Sequence, residues 1–201
     1  MKPESAHLVA ITGGIGSGKT RAASYLATLC DCPLLNLDEL CRQLLNPGSA
    51  GWKALRKTVD PCFFTPSGQL DRQAFRDALF TDDILRKQVD GLLHPLARDA
   101  LLQKAATMQG RVIVEIPLLF EAGWQDIVDT IVVVAADKEK RIQRIICRDN
   151  VSNEQACQAI AAQFSLTEKA ALAHHVVDNS GNWQDTCRQL RQLAETLGCK
   201  E

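Results

Sequence analysis

Net charge is nearly absent from this chain, at −1 over 201 residues. No global field therefore draws it to nucleic acid or to an acidic membrane surface. No apolar run approaches the length of a membrane span, and the short run Leu8–Ile11 lacks the length and cleavage pattern of a secretion signal. Internal repeats, low-complexity segments and basic stretches with interleaved aromatics are also missing, as is an Asn-Lys-x-Asp run of the kind that reads guanine. The eight cysteines form no Cys-x-x-Cys pair, and Cys30 and Cys32 are the closest two. Most are expected to be small buried hydrophobes in a reducing cytosol. What remains is a chain long enough to bury a proper core, expected in the cytoplasm as a monomer or weak homo-oligomer with a small-molecule partner.

The run that is present and informative is Gly13-Gly14-Ile15-Gly16-Ser17-Gly18-Lys19-Thr20. It fits G-x-x-x-x-G-K-[ST] and lies between the strand-like Leu8-Val9-Ala10-Ile11 and a helical segment, Arg21 to Leu29. Glycines let the backbone turn with N–H groups facing inward, and the helix N-terminus adds the positive end of its dipole. Lys19 is then expected to reach β- and γ-phosphates, and the Thr20 hydroxyl to ligate Mg²⁺. With strand, loop and helix in order, the motif predicts nucleoside triphosphate binding through Gly14, Ile15, Gly16, Ser17, Gly18, Lys19, Thr20 and Arg21.

Strand signals recur at residues 7–12, 34–37, 112–116, 130–135 and 174–177, with helical segments between them. This pattern predicts an α/β fold with a parallel five-stranded sheet and crossover helices. A long insertion, roughly 47–108, has no strand-like run of its own. Asp71 and Thr81 or Asp82 are expected to start helices there, and Pro95 to sit in the first turn of a third. A helical insertion of this size beside a phosphate loop suits a second-substrate subdomain. A smaller excursion, about 138–172, is expected to form a lid. The last helix should run from Trp183 to Leu197 and stop at Gly198.

In open parallel sheets ligands bind at the carboxyl ends of the strands. Asp38, just past the second strand, can accept a proton from an acceptor hydroxyl or hold Mg²⁺ through water, or simply cap the following helix. After the third strand, Glu115 to Glu121 offers a carboxylate to orient a metal-bound water, though Glu121 can equally be a solvated charge at a helix start. Arg141, Arg144 and Arg148 recur at three- and four-residue spacing and share a helical face. An arginine over a transferring γ-phosphate is worth about 10³–10⁵ in rate, and a solvated charge run is the plain alternative. The Asp178-Asn179-Ser180-Gly181 turn can present Asn179 to a purine. His174 and His175, adjacent in a strand, cannot chelate one ion together. The same core can serve a nucleoside monophosphate or another small hydroxylated metabolite as acceptor, or act as a nucleotide-dependent switch.

The ordered set of motifs resembles the dephospho-CoA kinase family over nearly the whole chain. The resemblance rests on Thr12 to Lys19, Leu37-Asp38, Leu70-Asp71-Arg72, Leu92-Leu93-His94-Pro95-Leu96 and Pro117-Leu118-Leu119-Phe120-Glu121. Arg144 with Arg148-Asp149, Gln163 with Lys169, and Val177 to Gly181 complete it. It implies a P-loop three-layer core, a helical CoA subdomain in the insertion and a lid carrying Arg144 and Arg148. It also implies ATP and Mg²⁺, and phosphorylation of the ribose 3′-hydroxyl of dephospho-CoA with Asp38 as catalytic carboxylate. Arg72, His94, Pro117 and Leu118 would fall in or near the acceptor site. Two departures stand out. The family usually has Asp-Ala-Asp where this chain has Asn36-Leu37-Asp38, and Ser-Thr after its lysine where this chain has Thr20-Arg21.

Overall fold

The computed structural model describes residues 6–199. Five parallel strands form one sheet in the order β2-β3-β1-β4-β5, with β1 (Ala6–Gly13) at its centre. Its neighbours are β3 (Gly110–Glu115) and β4 (Thr130–Ala135), and the edges are β2 (Leu34–Asn36) and β5 (His175–Asp178). These positions agree with the spacing of the β-branched runs to within two residues. On one face Val9, Ile11, Ile113, Val132, Val134 and Val177 pack with Ala22, Ala23, Leu26 and Ala27 of α1 (Lys19–Leu29) and Leu190, Leu193 and Ala194 of α9 (Trp183–Thr196). The alternate positions Leu8, Ala10, Val112, Val114, Ile131 and Val133 are buried as well. Burial of both faces is why these strands read as continuous apolar runs rather than alternating ones. No helix among the described residues is long and apolar enough to cross a membrane.

The chain divides into two compact units, residues 1–36 with 105–201, and residues 37–104. The second unit starts at Leu37, earlier than the position 47 drawn from composition. The reason is that α2 (Leu37–Leu44) packs on α3 (Ala50–Thr58), and Leu45 joins a separate core of Leu55, Val59, Leu70, Phe75 and Val89. Asp71 caps α4 (Arg72–Thr81) by accepting from the Ala74 N–H at 3.0 Å, and Asp82 accepts from Ile84 and Leu85 ahead of the next helix. That helix, α5 (Asp83–Ala106), runs through Pro95 without a break, so Pro95 does not begin a helix of its own. Proline there removes one bond, to the Gly91 carbonyl. The buried stripe Ala97, Leu101 and Ala105 keeps the remaining turns in place.

The cysteines also depart from expectation. Cys30 and Cys199 form a disulfide, with Cα atoms 4.9 Å apart and a sequence separation of 169. Of the free cysteines only Cys187 is buried, and Cys62 and Cys147 are exposed. Spacing alone could not reveal this, because the bridge joins residues far apart in sequence that meet only where α1 packs beside α9.

The packing of α1 on the sheet makes a direct prediction. Leu26 is fully buried in the shared core, so Leu26→Ala should lower stability by about 2–5 kcal/mol in urea unfolding. A loss below about 1 kcal/mol would mean that this face is not the main core.

Candidate active site

The glycine-rich loop joins β1 to α1 and is held from outside. Arg141 of α6 (Lys138–Asp149) donates through Nε to the Ile15 carbonyl at 2.8 Å. Arg144 donates to the Gly16 and Ser17 carbonyls at 3.2 and 3.3 Å, and to the Asn179 carbonyl at 3.0 Å. Asn179 Nδ2 donates to the Ser17 carbonyl at 2.7 Å. In a planar trans peptide the N–H points opposite to the C=O. Turning the carbonyls of Ile15, Gly16 and Ser17 toward α6 and β5 therefore turns the amides of Gly16, Ser17 and Gly18 the other way. Ser17 N–H then closes a turn on the Gly14 carbonyl. Gly16 and Gly18 remain as donors facing away from the arginines.

The glycines are needed for this closeness. A Cβ on Gly14 would sit 2.5 Å from Arg141 Nη2, and one on Gly16 would sit 2.7 Å from the Arg141 carbonyl oxygen. Arg141 is itself buried, and burial pulls its pKa below the ordinary arginine value. Helix α1 begins at Gly18 in the left-handed region, with no side-chain cap and no acidic residue in its first turn. That turn carries Lys19, Thr20 and Arg21 instead. Cations there oppose the helix dipole, so an anion at the helix start would relieve both.

Glu115, at the end of β3, is the buried carboxylate of the site, only 1% exposed. Thr20 Oγ1 donates to its Oε1 at 2.6 Å, and Asn36 Nδ2 to its Oε2 at 2.6 Å. The departure at Asn36 thus has a physical counterpart. An aspartate there would set a second carboxylate against Glu115, whereas the amide donates to it. Thr20 and Glu115 together offer an all-oxygen donor set of the kind Mg²⁺ takes alongside phosphates. No cluster of three or more His, Cys, Asp or Glu that could hold a metal occurs among the described residues.

Glu121 is neither a solvated charge nor close to being one. It pairs at 2.8 Å with the fully buried Lys169 of α8 (Leu166–Ala171), which follows α7 (Asn153–Ala161), and accepts from the Phe164 N–H at 3.1 Å. Gln163, one residue before Phe164, accepts from the Ile15 N–H at 2.8 Å. The Glu121–Lys169 pair thereby fixes the segment that grips the loop from its second side. Arg148 does not join Arg141 and Arg144 at the loop. It forms a bidentate pair with Asp149, at 2.8 and 2.7 Å, and is largely exposed. Asn179 has both ends of its amide occupied, since its Oδ1 accepts from the Thr186 hydroxyl at 3.0 Å. It organises the loop instead of presenting a free amide to a base.

Beside the loop lies a cavity of about 230 Å³ lined by Gly18, Arg21, Arg144, Asn179, Gly181 and Trp183. The Arg21 guanidinium lies 3.8 Å from the centre of the Trp183 ring, and Tyr25 meets the same ring edge-on at 5.8 Å. Guanidinium planes and an indole around a small space suit a flat aromatic ring. Sequence reasoning passed over Trp183, whose only signal was its place just after the Asp178–Gly181 turn.

Pro117, whose carbonyl accepts from the Thr12 hydroxyl at 3.3 Å, and the exposed Leu118 follow β3. The remaining expected residues belong to the second unit. Asp38 is exposed in the first turn of α2. Arg72 reaches the Arg42 carbonyl and Asn46 Oδ1 at 3.3 and 3.4 Å. His94 lies 3.9 Å from Asp90 on α5.

The sequence profile of the dephospho-CoA kinase family matches residues 7–185. Curated dephospho-CoA kinases from Shewanella oneidensis, Sodalis glossinidius and Desulfotalea psychrophila are 37%, 36% and 34% identical to this chain. These matches cover 94%, 93% and 90% of this chain and 92%, 90% and 93% of the relatives. A solved Thermus thermophilus protein is 31% identical with a TM-score of 0.77, covering 98% of this chain and 99% of its own. The dephospho-CoA kinase of Campylobacter jejuni, at 20% identity and a TM-score of 0.68 over 96% and 97% of the two chains, shares the fold.

The buried ion pair yields a test. Glu121→Gln leaves the Lys169 ammonium buried without its counter-charge and should cost about 3–5 kcal/mol of stability in urea unfolding. Adding Lys169→Met should recover a large part of that loss. An unchanged single variant would show that the pair does not anchor the segment.

Proposed function

This chain belongs to the dephospho-CoA kinase family, and we propose that it transfers the γ-phosphoryl group of ATP to the ribose 3′-hydroxyl of dephospho-CoA, releasing coenzyme A and ADP. The observation that carries this reading is the phosphate loop with its carbonyls fixed outward by Arg141, Arg144 and Asn179. Phosphoryl transfer asks a protein chiefly for positioning and charge stabilisation, and the loop supplies both. Backbone amides of the loop, Gly16 and Gly18 first among them, and the Lys19 ammonium hold the β- and γ-phosphates. The base of ATP lies in the cavity beside Arg21, Trp183 and the Asn179 loop. Arg144 contributes positive charge from the carbonyl side of the loop that it holds, and Arg148 is a second cation once released from Asp149, on a lid formed by residues 138–172.

Mg²⁺ would be held by Thr20 and, through water, by Glu115. When bound, it neutralises charge across the β- and γ-phosphates. Asp38 accepts the proton of the attacking hydroxyl. The helical unit 37–104 binds the acceptor, with Arg72 and His94 as its polar contacts. The buried Glu115 is added to this set on the strength of its bonds to Thr20 and Asn36.

ADP release measured with dephospho-CoA, AMP, CMP or no acceptor tests the reading, with Lys19→Ala as the blank. Strong stimulation by dephospho-CoA alone, with coenzyme A identified by mass, is the expected result. Stimulation by a monophosphate instead would overturn the acceptor assignment. Asp38→Asn should lower turnover about a hundredfold or more with little change in ATP affinity. Near-normal turnover would remove Asp38 as the base. Trp183→Leu should raise the KM for ATP about tenfold, as loss of a stacking surface does, with kcat and the acceptor KM nearly unchanged.

A further inference from the structure

Helices α1 and α9 pack side by side on one face of the sheet, and both end in the same way. Beyond α1, Asp31 adopts a left-handed conformation (φ 44°), its N–H bonds to the Thr28 carbonyl, and the Cys32 N–H bonds to the Ala27 carbonyl. Beyond α9, Gly198 is left-handed (φ 74°), its N–H bonds to the Glu195 carbonyl, and the Cys199 N–H bonds to the Ala194 carbonyl. Each is a Schellman closure with paired 6→1 and 5→2 bonds. Cys30 is the last residue before one closure and Cys199 the last residue of the other. Their Cα separation of 4.9 Å is therefore held by backbone bonds and by Ala22, Leu26, Leu190 and Ala194 in the core.

A cation stands at one of the two sulfurs. Arg111, near the start of β3, donates through Nη1 to Cys199 Sγ at 3.0 Å and through Nη2 to the Leu197 carbonyl. A fixed guanidinium at a sulfur stabilises it as thiolate, which makes it a better leaving group. The third cysteine nearby, Cys32, is half-buried, and burial raises its pKa. It lines an open cleft of about 590 Å³ with Ser24, Thr28, Asp31 and Pro33, which neither bridged cysteine lines. Cys30 and Cys199 are themselves each partly exposed, which opens the bridge to a small thiol.

The geometry points to Cys30–Cys199 as a reversible thiol–disulfide exchange site whose reagents are low-molecular-weight thiols and disulfides, with Arg111 assisting the release of Cys199. A small thiolate attacks Cys30 Sγ, forming a mixed disulfide and breaking the Cys30–Cys199 bond. Cys199 leaves as a thiolate beside Arg111. A second small thiolate attacks the outer sulfur of the mixed disulfide and frees Cys30. The sum is protein disulfide plus two small thiols giving protein dithiol plus one small disulfide, with two electrons and two protons passing to the protein. The reverse uses the small disulfide as oxidant. Closure ties off a loop spanning 169 positions of sequence, at the far end of the helix whose first residue is Lys19 of the phosphate loop. Because a long loop removes much unfolded-state entropy, the oxidised form should melt roughly 5–15 °C above the reduced form.

The test uses the full-length chain, reduced and then treated with oxidised glutathione, with thiols counted by maleimide mass shift after denaturation. Eight thiols should fall to six, and peptide mapping without reductant should join Cys30 to Cys199. Melting temperature should rise on oxidation in the wild type and not in Cys199→Ser. Arg111→Met should slow the exchange about tenfold or more at neutral pH. Eight persistent thiols, a bridge between any other pair, or an unchanged exchange rate in Arg111→Met would each overturn the assignment.

Discussion

The site depends on how the carbonyls of the glycine-rich loop are satisfied. Five residues of backbone between β1 and α1 could adopt many shapes, and glycine makes the choice wider. Three carbonyls in a row, from Ile15 to Ser17, are taken by Arg141, Arg144 and Asn179. Gln163 takes the Ile15 amide from the second side. With these contacts made, the loop has little freedom left, and its remaining amides face the start of an uncapped helix. The charge pattern follows from this. Arg141 tolerates burial because its guanidinium spends its charge on backbone dipoles, and Lys19 and Arg21 on the first turn of α1 add positive charge at the helix start.

A second constraint lies beneath the loop. Glu115 is a buried carboxylate, which is costly unless both oxygens have donors. Thr20 supplies one and Asn36 the other. This trio couples the end of β2, the end of β3 and the first turn of α1. It also explains why the exchange of an acid for Asn36 leaves a coherent site, since the donor at residue 36 suits the acid at residue 115. Glu121 and Lys169 repeat the arrangement one layer out, where a fully buried ammonium is held by a single carboxylate that also caps the Phe164 amide.

The strands, the helix starts at Asp71 and Asp82, and the phosphate loop were legible because each is written in short-range chemistry. Alternating or continuous apolar runs, capping side chains and glycine spacing act within a few residues of themselves. Family membership was legible for a related reason, since the order of such motifs survives in a chain about one-third identical to its relatives. Helix α5 passing through Pro95 was not legible, because a local breaker competes with packing of Ala97, Leu101 and Ala105 that only the fold supplies.

What the sequence by itself determined is the parallel α/β core, the triphosphate loop and the family. What only the tertiary structure decided is which side chains meet. Arg144 reaches the loop while Arg148, on the same helical face, turns to Asp149; Glu121 finds Lys169; Trp183 lies against Arg21; and Cys30 meets Cys199. The physical reason is range. Each of these pairs except Arg148–Asp149 joins residues dozens of positions apart or more, and no local periodicity records a contact that forms only when the sheet brings its connecting segments together.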